Sequence, residues 1–201
     1  MVTLLRIADV IDRFNDRFGR WLYWLTLAMV LIGSFNAVAR YLDRWSGLGL
    51  SSNMYLEAQW YLFSLVFLLG GAYALRHDAH VRVDILYSNL SRRGRAWVDL
   101  GGVVLFLIPF CLLMLWVAWP AVANSWRVLE MSPDPGGLPR YPIKTAIPAA
   151  FILLLAQGLS MGIRSAAVLT GHAPVTARGD AEDEENDVGF RRLPDIDGEA
   201  G

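Results

Sequence analysis

The chain has 201 residues, of which 55% are hydrophobic and 18% are charged, and its formal net charge is −1. That sum hides a basic part and an acidic part. Residues 1–173 carry 15 Arg or Lys against 10 acids, whereas residues 174–201 carry 3 Arg against 9 acids. A chain that is this apolar and has no net positive charge over its full length is not expected to bind nucleic acid. The single cysteine, Cys111, excludes an intramolecular disulfide and a thiolate metal cluster.

Four stretches contain no ionisable side chain and are long enough to cross a bilayer: 21–39, 58–75, 100–126 and 145–163. A hydrocarbon core of about 30 Å needs about 20 helical residues. The pattern therefore predicts an all-α integral membrane protein with four transmembrane helices. Proton relays and ion paths place ionisable side chains inside the membrane. These charge-free spans instead favour a scaffold for the chemistry of other proteins.

Residues 1–20, before the first span, have the periodicity of an amphipathic helix. Apolar residues recur every three or four positions: Leu4, Ile7, Ala8, Ile11, Phe14 and Phe18. Charged residues fill the other positions, and Asp9 with Arg13 and Asp16 with Arg20 have the spacing of favourable i,i+4 pairs. The segment is predicted to lie in the headgroup plane with its apolar stripe toward the lipid. The alternative is that this face packs on another subunit.

Lys and Arg are distributed unequally between the two sides of the predicted bundle. Eleven lie in the N-terminal segment, the second loop and the start of the tail, against five in the first and third loops. The positive-inside rule therefore predicts that both termini and residues 76–99 are cytoplasmic. Tryptophan and tyrosine side chains near the ends of the spans mark both membrane interfaces.

The third span is longer than the hydrocarbon, because its uncharged residues would form a helix of about 40 Å. It is expected to tilt, to kink at Pro109 or to extend beyond the outer surface. Two glycine pairs, Gly70-Gly71 and Gly101-Gly102, are expected to let helices approach closely.

The third loop, residues 130–144, is rich in proline and glycine. Four prolines stiffen it, and a glycine pair permits a reversal: Pro133, Pro135, Pro139, Pro142 and Gly136-Gly137. This composition predicts a shaped external loop that presents Arg140 and Lys144 to the outside. The loop is either a connector between two helices or a docking surface for another protein.

Two polar residues stand out near the spans. Gln157 is the most embedded strongly polar residue of the fourth span, and an interhelical hydrogen bond is favoured over a contact with substrate. Glu57 lies at the outer end of the second span, where pairing with Arg40 or Lys144 is the simplest expectation. If Glu57 bound protons instead, the chain would be a self-sufficient small proton-coupled transporter.

The second loop and the tail carry charge without a chemical signature. His77 and His80 straddle Asp78, but neither a cysteine nor a cage of carboxylates accompanies them, so no metal site is predicted. His80, Arg82 and Asp84 are expected to form a charge-paired turn or to face a partner subunit. Residues 165–201 are predicted to be a disordered cytoplasmic tail, because they are acidic and poor in apolar residues. An acidic docking motif is the alternative.

Three motifs in a fixed order resemble one family. They are Glu57-Ala-Gln-Trp60, the run from Leu69 to Asp84, and Gly137 to Lys144 followed by Ile147-Pro148 and Gln157-Gly158. From about residue 10 to residue 165, the chain is similar to the small permease subunit of tripartite ATP-independent periplasmic (TRAP) transporters, the DctQ type.

This resemblance implies a system in the bacterial inner membrane with three components. A periplasmic binding protein captures an organic acid, a large permease subunit moves it with sodium, and the small subunit supports the large one. The resemblance implies no catalytic residue, no cofactor and no metal. It also implies that the motif residues are structural or interface positions.

The combined prediction divides the chain into an amphipathic segment at 1–20, a four-helix membrane domain at 21–164 and a tail at 165–201. Its expected partners are the large permease subunit, the periplasmic substrate-binding protein and membrane lipids. Its expected role is a non-catalytic scaffold that also helps to dock the binding protein. Ten residues are candidate interface or structural positions: Arg40, Glu57, Trp60, His80, Arg82, Asp84, Pro139, Arg140, Lys144 and Gln157.

Overall fold

The structure is a computed structural model that describes residues 1–47, 49–77 and 90–172. These residues form six α-helices: α1 Val2–Ser46, α2 Asn53–Arg76, α3 Arg92–Gly102, α4 Ile108–Arg127, α5 Arg140–Lys144 and α6 Ala146–Leu169. A π-helical segment, Val103–Leu107, joins α3 to α4. Within the described residues, four continuous helical segments are long and apolar enough to cross a membrane: α1, α2, α3 with α4, and α5 with α6. The predicted all-helical architecture with four spans is therefore confirmed.

α6 is the central helix of the bundle and packs against all the others. α1 and α2 pair along their length in opposite directions, since Asp16 contacts Arg76 near one end and Phe35 contacts Tyr55 near the other. The end of the bundle where α1 begins and where α2 and α6 end is called the basic end below. The opposite end, where α4 leads into α5, is called the loop end.

Close helix packing depends on glycines of α6. A Cβ atom on Gly158 would lie 2.5 Å from Leu107 Cδ2, and one on Gly162 would lie 3.4 Å from Val103 Cγ1. These two positions therefore let α6 approach the π-helical segment closely. Of the earlier glycine pairs, only Gly70 faces another helix, since a Cβ there would lie 3.6 Å from Leu22 Cδ1, and a Cβ at the other three would meet nothing within 4 Å: Gly71, Gly101 and Gly102.

The chain accommodates Pro109 by widening the helix rather than by breaking it. Pro109 is the second residue of α4, and its ring takes the place of a backbone donor and crowds the carbonyl of Leu105. The preceding turn is π-helical, and the N–H of Ile108 donates to the carbonyl of Val103, five residues back. The third span therefore departs from α-helical geometry at Pro109, while the tilt, the kink and the extension considered for it stay predictions.

The N-terminal segment differs from the prediction. Residues 1–20 are not a separate interfacial helix but the first part of α1, which continues without a break for 45 residues. A helix of that length measures about 67 Å, so α1 extends beyond a hydrocarbon core of about 30 Å. The physical reason is that one face of this first part packs on α2 and α6 of the same chain through polar contacts. The boundaries proposed for the three parts of the chain stay predictions.

Candidate functional site

The first half of α1 buries a line of small and polar side chains. Its buried residues recur at spacings of four and three: Ala8, Asp12, Asn15, Gly19 and Leu22. Such spacing is typical of a helix that packs along a single seam. Ala8 is the one member of the predicted apolar stripe in this seam, whereas Ile7 and Phe14 are exposed. The seam therefore places a carboxylate and an amide inside the bundle.

Asp12 lies at the centre of this arrangement and is only 3% exposed. Its Oδ2 atom accepts from two guanidinium groups, Arg76 Nη1 at 2.5 Å and Arg164 Nη2 at 2.6 Å. Its Oδ1 atom accepts from Ser160 Oγ at 2.7 Å and Gln157 Nε2 at 3.0 Å. A buried carboxylate is tolerated only when its charge is paired and its oxygens are hydrogen-bonded. Asp12 therefore fastens α1 to α2 and α6 at once.

Neutral side chains complete this arrangement toward the membrane interior. Asn15 Nδ2 donates to Gln157 Oε1 at 2.6 Å, so both ends of the Gln157 amide are bonded to α1. The hydroxyl of Ser160 also lies 3.3 Å from the carbonyl oxygen of Ala8. The interhelical hydrogen bond predicted for Gln157 is therefore present. We call the connected set the polar cluster: Asp9, Asp12, Asn15, Asp16, Arg76, His77, Gln157, Ser160 and Arg164.

Two further acids form the outer part of the polar cluster at the basic end. Asp9 Oδ1 pairs with Arg164 Nη2 at 2.6 Å. Asp16 Oδ1 pairs with Arg76 Nε at 2.5 Å and lies 3.0 Å from His77 Nε2. Three carboxylates thus share two arginines and one histidine.

These pairs correct the i,i+4 pairing expected within α1. Asp9 does not form an ion pair with Arg13, whose Nε donates instead to the backbone carbonyl of Asp9 at 3.1 Å. Asp16 turns toward α2 rather than toward Arg20. Arginines on packed helices offer these acids several donors at once, whereas exposed i,i+4 pairs contribute little.

Glu57 organises a second site at the loop end, and here the expected partner was wrong. Its two carboxylate oxygens accept from the Ser132 hydroxyl and from the backbone N–H of Leu138. It therefore pairs with neither Arg40 nor Lys144. The carboxylate is only 3% exposed, because the chain after α4 folds back over the start of α2. One hydroxyl and one backbone N–H, brought close by that fold, replace the expected cation.

Lys144 has a different carboxylate partner, Glu130, which also accepts from the Ser125 hydroxyl at 2.7 Å. The ammonium group of Lys144, followed by the Ser125 hydroxyl, lowers the pKa of Glu130. Because the folded-state pKa is depressed, the stabilising contribution of this pair is present at neutral pH. It is lost as the pH falls through that depressed value.

The segment between α4 and α5 forms a small hairpin, which we call the loop hairpin, residues 131–139. Met131 and Pro139 form an antiparallel bridge, and a turn at Gly136, with φ of 73°, reverses the chain. Tyr61 of α2 donates its hydroxyl to the carbonyl of Pro139 at 3.2 Å. The predicted shaped loop is thus held from α2 by Tyr61 and Glu57.

The remaining candidate residues have varied surroundings. Arg40 is exposed, and Trp60 packs edge-on against Tyr61 with a centroid distance of 4.8 Å. Arg140 is half-buried, and its backbone N–H donates to the Glu130 carbonyl at 2.8 Å. Three candidates lie outside the described residues, as do the tail beyond residue 172 and the expectations for it: His80, Arg82 and Asp84.

The described residues offer little for a metal or a cofactor. Within 1–47, 49–77 and 90–172, no group of three or more His, Cys, Asp or Glu side chains is arranged to hold a metal ion. The carboxylates of Asp12 and Glu57 are instead occupied by donors of the chain itself. The site around Asp12 therefore connects helices, and the site around Glu57 fixes a loop.

Sequence reasoning missed most of the polar cluster. Nothing in the sequence alone marks Asp12, Asn15 or Ser160 as special, and Arg76 and Arg164 enter only the count of basic residues that predicts topology. The available signal was the line of small and polar residues at spacings of four and three along α1, which is typical of close packing between membrane helices.

The fold and its two sites define a class: a multi-pass helical membrane protein whose buried polar groups serve helix packing. A family model described as "Tripartite ATP-independent periplasmic transporters, DctQ component" matches residues 29–167. The chain belongs to this family, which makes it the small permease subunit of a TRAP transporter and a multi-pass protein of the bacterial inner membrane. Comparison with curated proteins found no match. Comparison with solved structures found none either.

Proposed function

We propose that this chain is the non-catalytic scaffold of a sodium-driven TRAP transporter for an organic acid. In this role it enlarges and anchors the stationary part of the large permease subunit, against which the mobile part works. Membership of the DctQ family supports the assignment to such a transporter. The substrate class, the coupling ion and the division of labour belong to the proposal.

The observation that carries the scaffold role is the state of the two buried carboxylates. A residue that binds a solute or shuttles a proton needs an oxygen that the solute or water can reach. Asp12 has both oxygens engaged by four side chains, and Glu57 has both engaged by the loop hairpin. Groups occupied in this way favour a rigid support over a transport site.

The loop hairpin is the part of the proposal that concerns the periplasmic binding protein. Met131, which forms the bridge, and Leu129, two residues before it, are each 58% exposed, whereas Lys144 is paired with Glu130. Exposed apolar side chains on a fixed loop suit a contact with a soluble partner better than the cations that sequence analysis favoured. We therefore place the docking contact on this apolar edge.

The first experiment tests the scaffold role. The chain is co-expressed with the large permease subunit and the binding protein of the same system, purified through a tag on the chain and reconstituted into proteoliposomes. We expect the large subunit to co-purify, and uptake driven by a sodium gradient to require all three proteins. Uptake of the organic acid by the tagged chain alone would overturn the proposal and support the small transporter that uses Glu57.

A second expected result concerns orientation. Asp134 in the loop hairpin and His172 beyond α6 are both exposed, and they lie at opposite ends of the bundle. In a Cys111→Ala background, a membrane-impermeant thiol reagent applied to intact spheroplasts is expected to modify Asp134→Cys and to leave His172→Cys unmodified until the membrane is permeabilised. The reverse pattern would mean that the basic end faces the periplasm, against the positive-inside rule.

A further inference from the structure

The exposed surface of α1 near the basic end carries a row of arginines. Four guanidinium groups project from positions three, four or seven residues apart, and all four residues are exposed: Arg6, Arg13, Arg17 and Arg20. At 100° per residue they fall within a sector of about 60°. We call this set the arginine row.

The arginine row is not neutralised by the acids of the same helix. Asp9, Asp12 and Asp16 are all engaged by Arg76 and Arg164 on other helices. Arg13 donates to a backbone carbonyl, and in the described part of the chain no ion pair includes a guanidinium group of the row. Because the three acids pair with arginines of other helices, the positive charge of the arginine row on the outside of α1 is not neutralised by them.

Beside the row lies an exposed apolar surface. Ile7, Val10, Phe14 and Trp21 are exposed on the next sector of α1, and Trp24 lies one turn beyond Arg20, in line with the row. An apolar sector flanked by arginines and tryptophans is typical of a helix face at a membrane interface.

The contacts of the polar cluster fix the depth of this surface. Asp16 pairs with Arg76 at the end of α2, and Asp12 pairs with Arg164 near the end of α6. These spans end at the headgroup region, so Arg13 and Arg17, which flank Asp16 along α1, lie near that depth. Arg20 lies four residues beyond Asp16, about 6 Å deeper, and an arginine side chain spans such a distance to reach the headgroups.

We propose that Arg13, Arg17 and Arg20, with Trp24, form a binding site for the phosphate headgroup of an anionic phospholipid in the leaflet at the basic end. Guanidinium groups bind phosphate oxygens in a bidentate manner, and Trp24, one turn deeper than Arg20, borders the site on its membrane side. The acyl chains lie along the deeper exposed apolar surface of α1, around Leu27 and Leu31. Charge complementarity and depth together select a phospholipid as the occupant.

The test measures lipid affinity of the purified full-length chain. Native mass spectrometry in a mild detergent gives apparent Kd values for added phosphatidylglycerol and phosphatidylcholine. The wild-type chain is expected to prefer phosphatidylglycerol. The combined variant Arg13→Gln, Arg17→Gln and Arg20→Gln is expected to bind it at least about tenfold more weakly, because each arginine near anionic headgroups contributes to affinity. Binding of phosphatidylcholine is expected to stay the same.

The matched control is the combined variant Arg40→Gln and Arg44→Gln, whose exposed arginines lie at the other end of the same helix. It is expected to change affinity for phosphatidylglycerol by less than about twofold. Single variants Arg17→Gln and Arg17→Lys supply a second comparison if the combined variant folds poorly. We expect the glutamine to weaken binding more than the lysine, which keeps the charge.

Two results would overturn the lipid site. An equal loss in the row variant and in the control would mean that only total charge matters. Unchanged affinity of the row variant for phosphatidylglycerol would mean that the row binds no lipid; if the same variant, co-expressed with the large permease subunit, no longer co-purifies with it, an acidic face of that subunit covers the row.

Discussion

The Asp12→Ala variant is expected to lose most of the stability that joins α1 to the rest of the bundle. It removes a buried carboxylate that accepts from Arg76, Arg164, Ser160 and Gln157. Two guanidinium groups then share the remaining acids, and two neutral donors lose their acceptor. Leaving a buried donor without its acceptor costs about 1–3 kcal/mol, and this applies to Ser160 and Gln157. The two guanidinium groups add less than a fully buried, unpaired charge would, because their side chains are 24% and 39% exposed and keep Asp16 and Asp9 as partners.

The measurement is the unfolding of the purified full chain in a mild detergent, followed by far-UV circular dichroism during titration with a denaturing detergent. Asp9→Ala is the matched control, since Asp9 binds the same Arg164 but its side chain is 52% exposed. We expect it to cost less than about 1 kcal/mol, as exposed pairs do. Equal destabilisation by the two variants would contradict the central role of Asp12. Asp12→Asn is expected to be intermediate, because its amide oxygen still accepts from neutral donors.

The four spans were predictable because the information is local. An uncharged stretch of about 20 residues is excluded from water wherever the rest of the chain lies. The packed face of α1 was not predictable in this way. In a soluble protein the apolar stripe marks the buried face, but membrane lipid is as apolar as Ile7 or Phe14. At the membrane interface such side chains can face lipid, so apolar character does not mark the packed face, and small or polar residues such as Asn15 and Gly19 line the seam.

The partners of charged residues were harder to predict than the spans. Asp9 and Asp16 have arginines at the favourable spacing in sequence, yet both pair with residues on other helices. Glu57 binds a backbone N–H 81 positions away, on Leu138. The Glu57 contact depends on how the proline-rich loop folds back on α2. The sequence alone does not show which distant residues become neighbours in this way.

The Glu57→Gln and Glu57→Ala variants are expected to release the loop hairpin while leaving the four spans folded. Glu57 supplies acceptors for the Ser132 hydroxyl and the Leu138 backbone N–H, and both donors are part of the hairpin. Alanine removes both acceptors and leaves these donors unsatisfied, which favours local opening. Glutamine keeps one acceptor but adds an N–H₂ group that faces another donor, so its effect is expected to be smaller.

Hydrogen exchange of peptides that cover residues 131–139 reads this effect directly. We expect exchange to accelerate about tenfold or more in Glu57→Ala, with no change in peptides from α6, because an opened hairpin exposes its amides. The control is Asp134→Asn, an exposed change on the hairpin itself, for which unchanged exchange is expected.

The same variants also distinguish a structural carboxylate from a transport site. If Glu57 is a structural residue, the Glu57→Gln variant is expected to preserve sodium-driven uptake in every complex that assembles. An intact hairpin and intact assembly with abolished uptake would instead assign Glu57 to proton or solute binding.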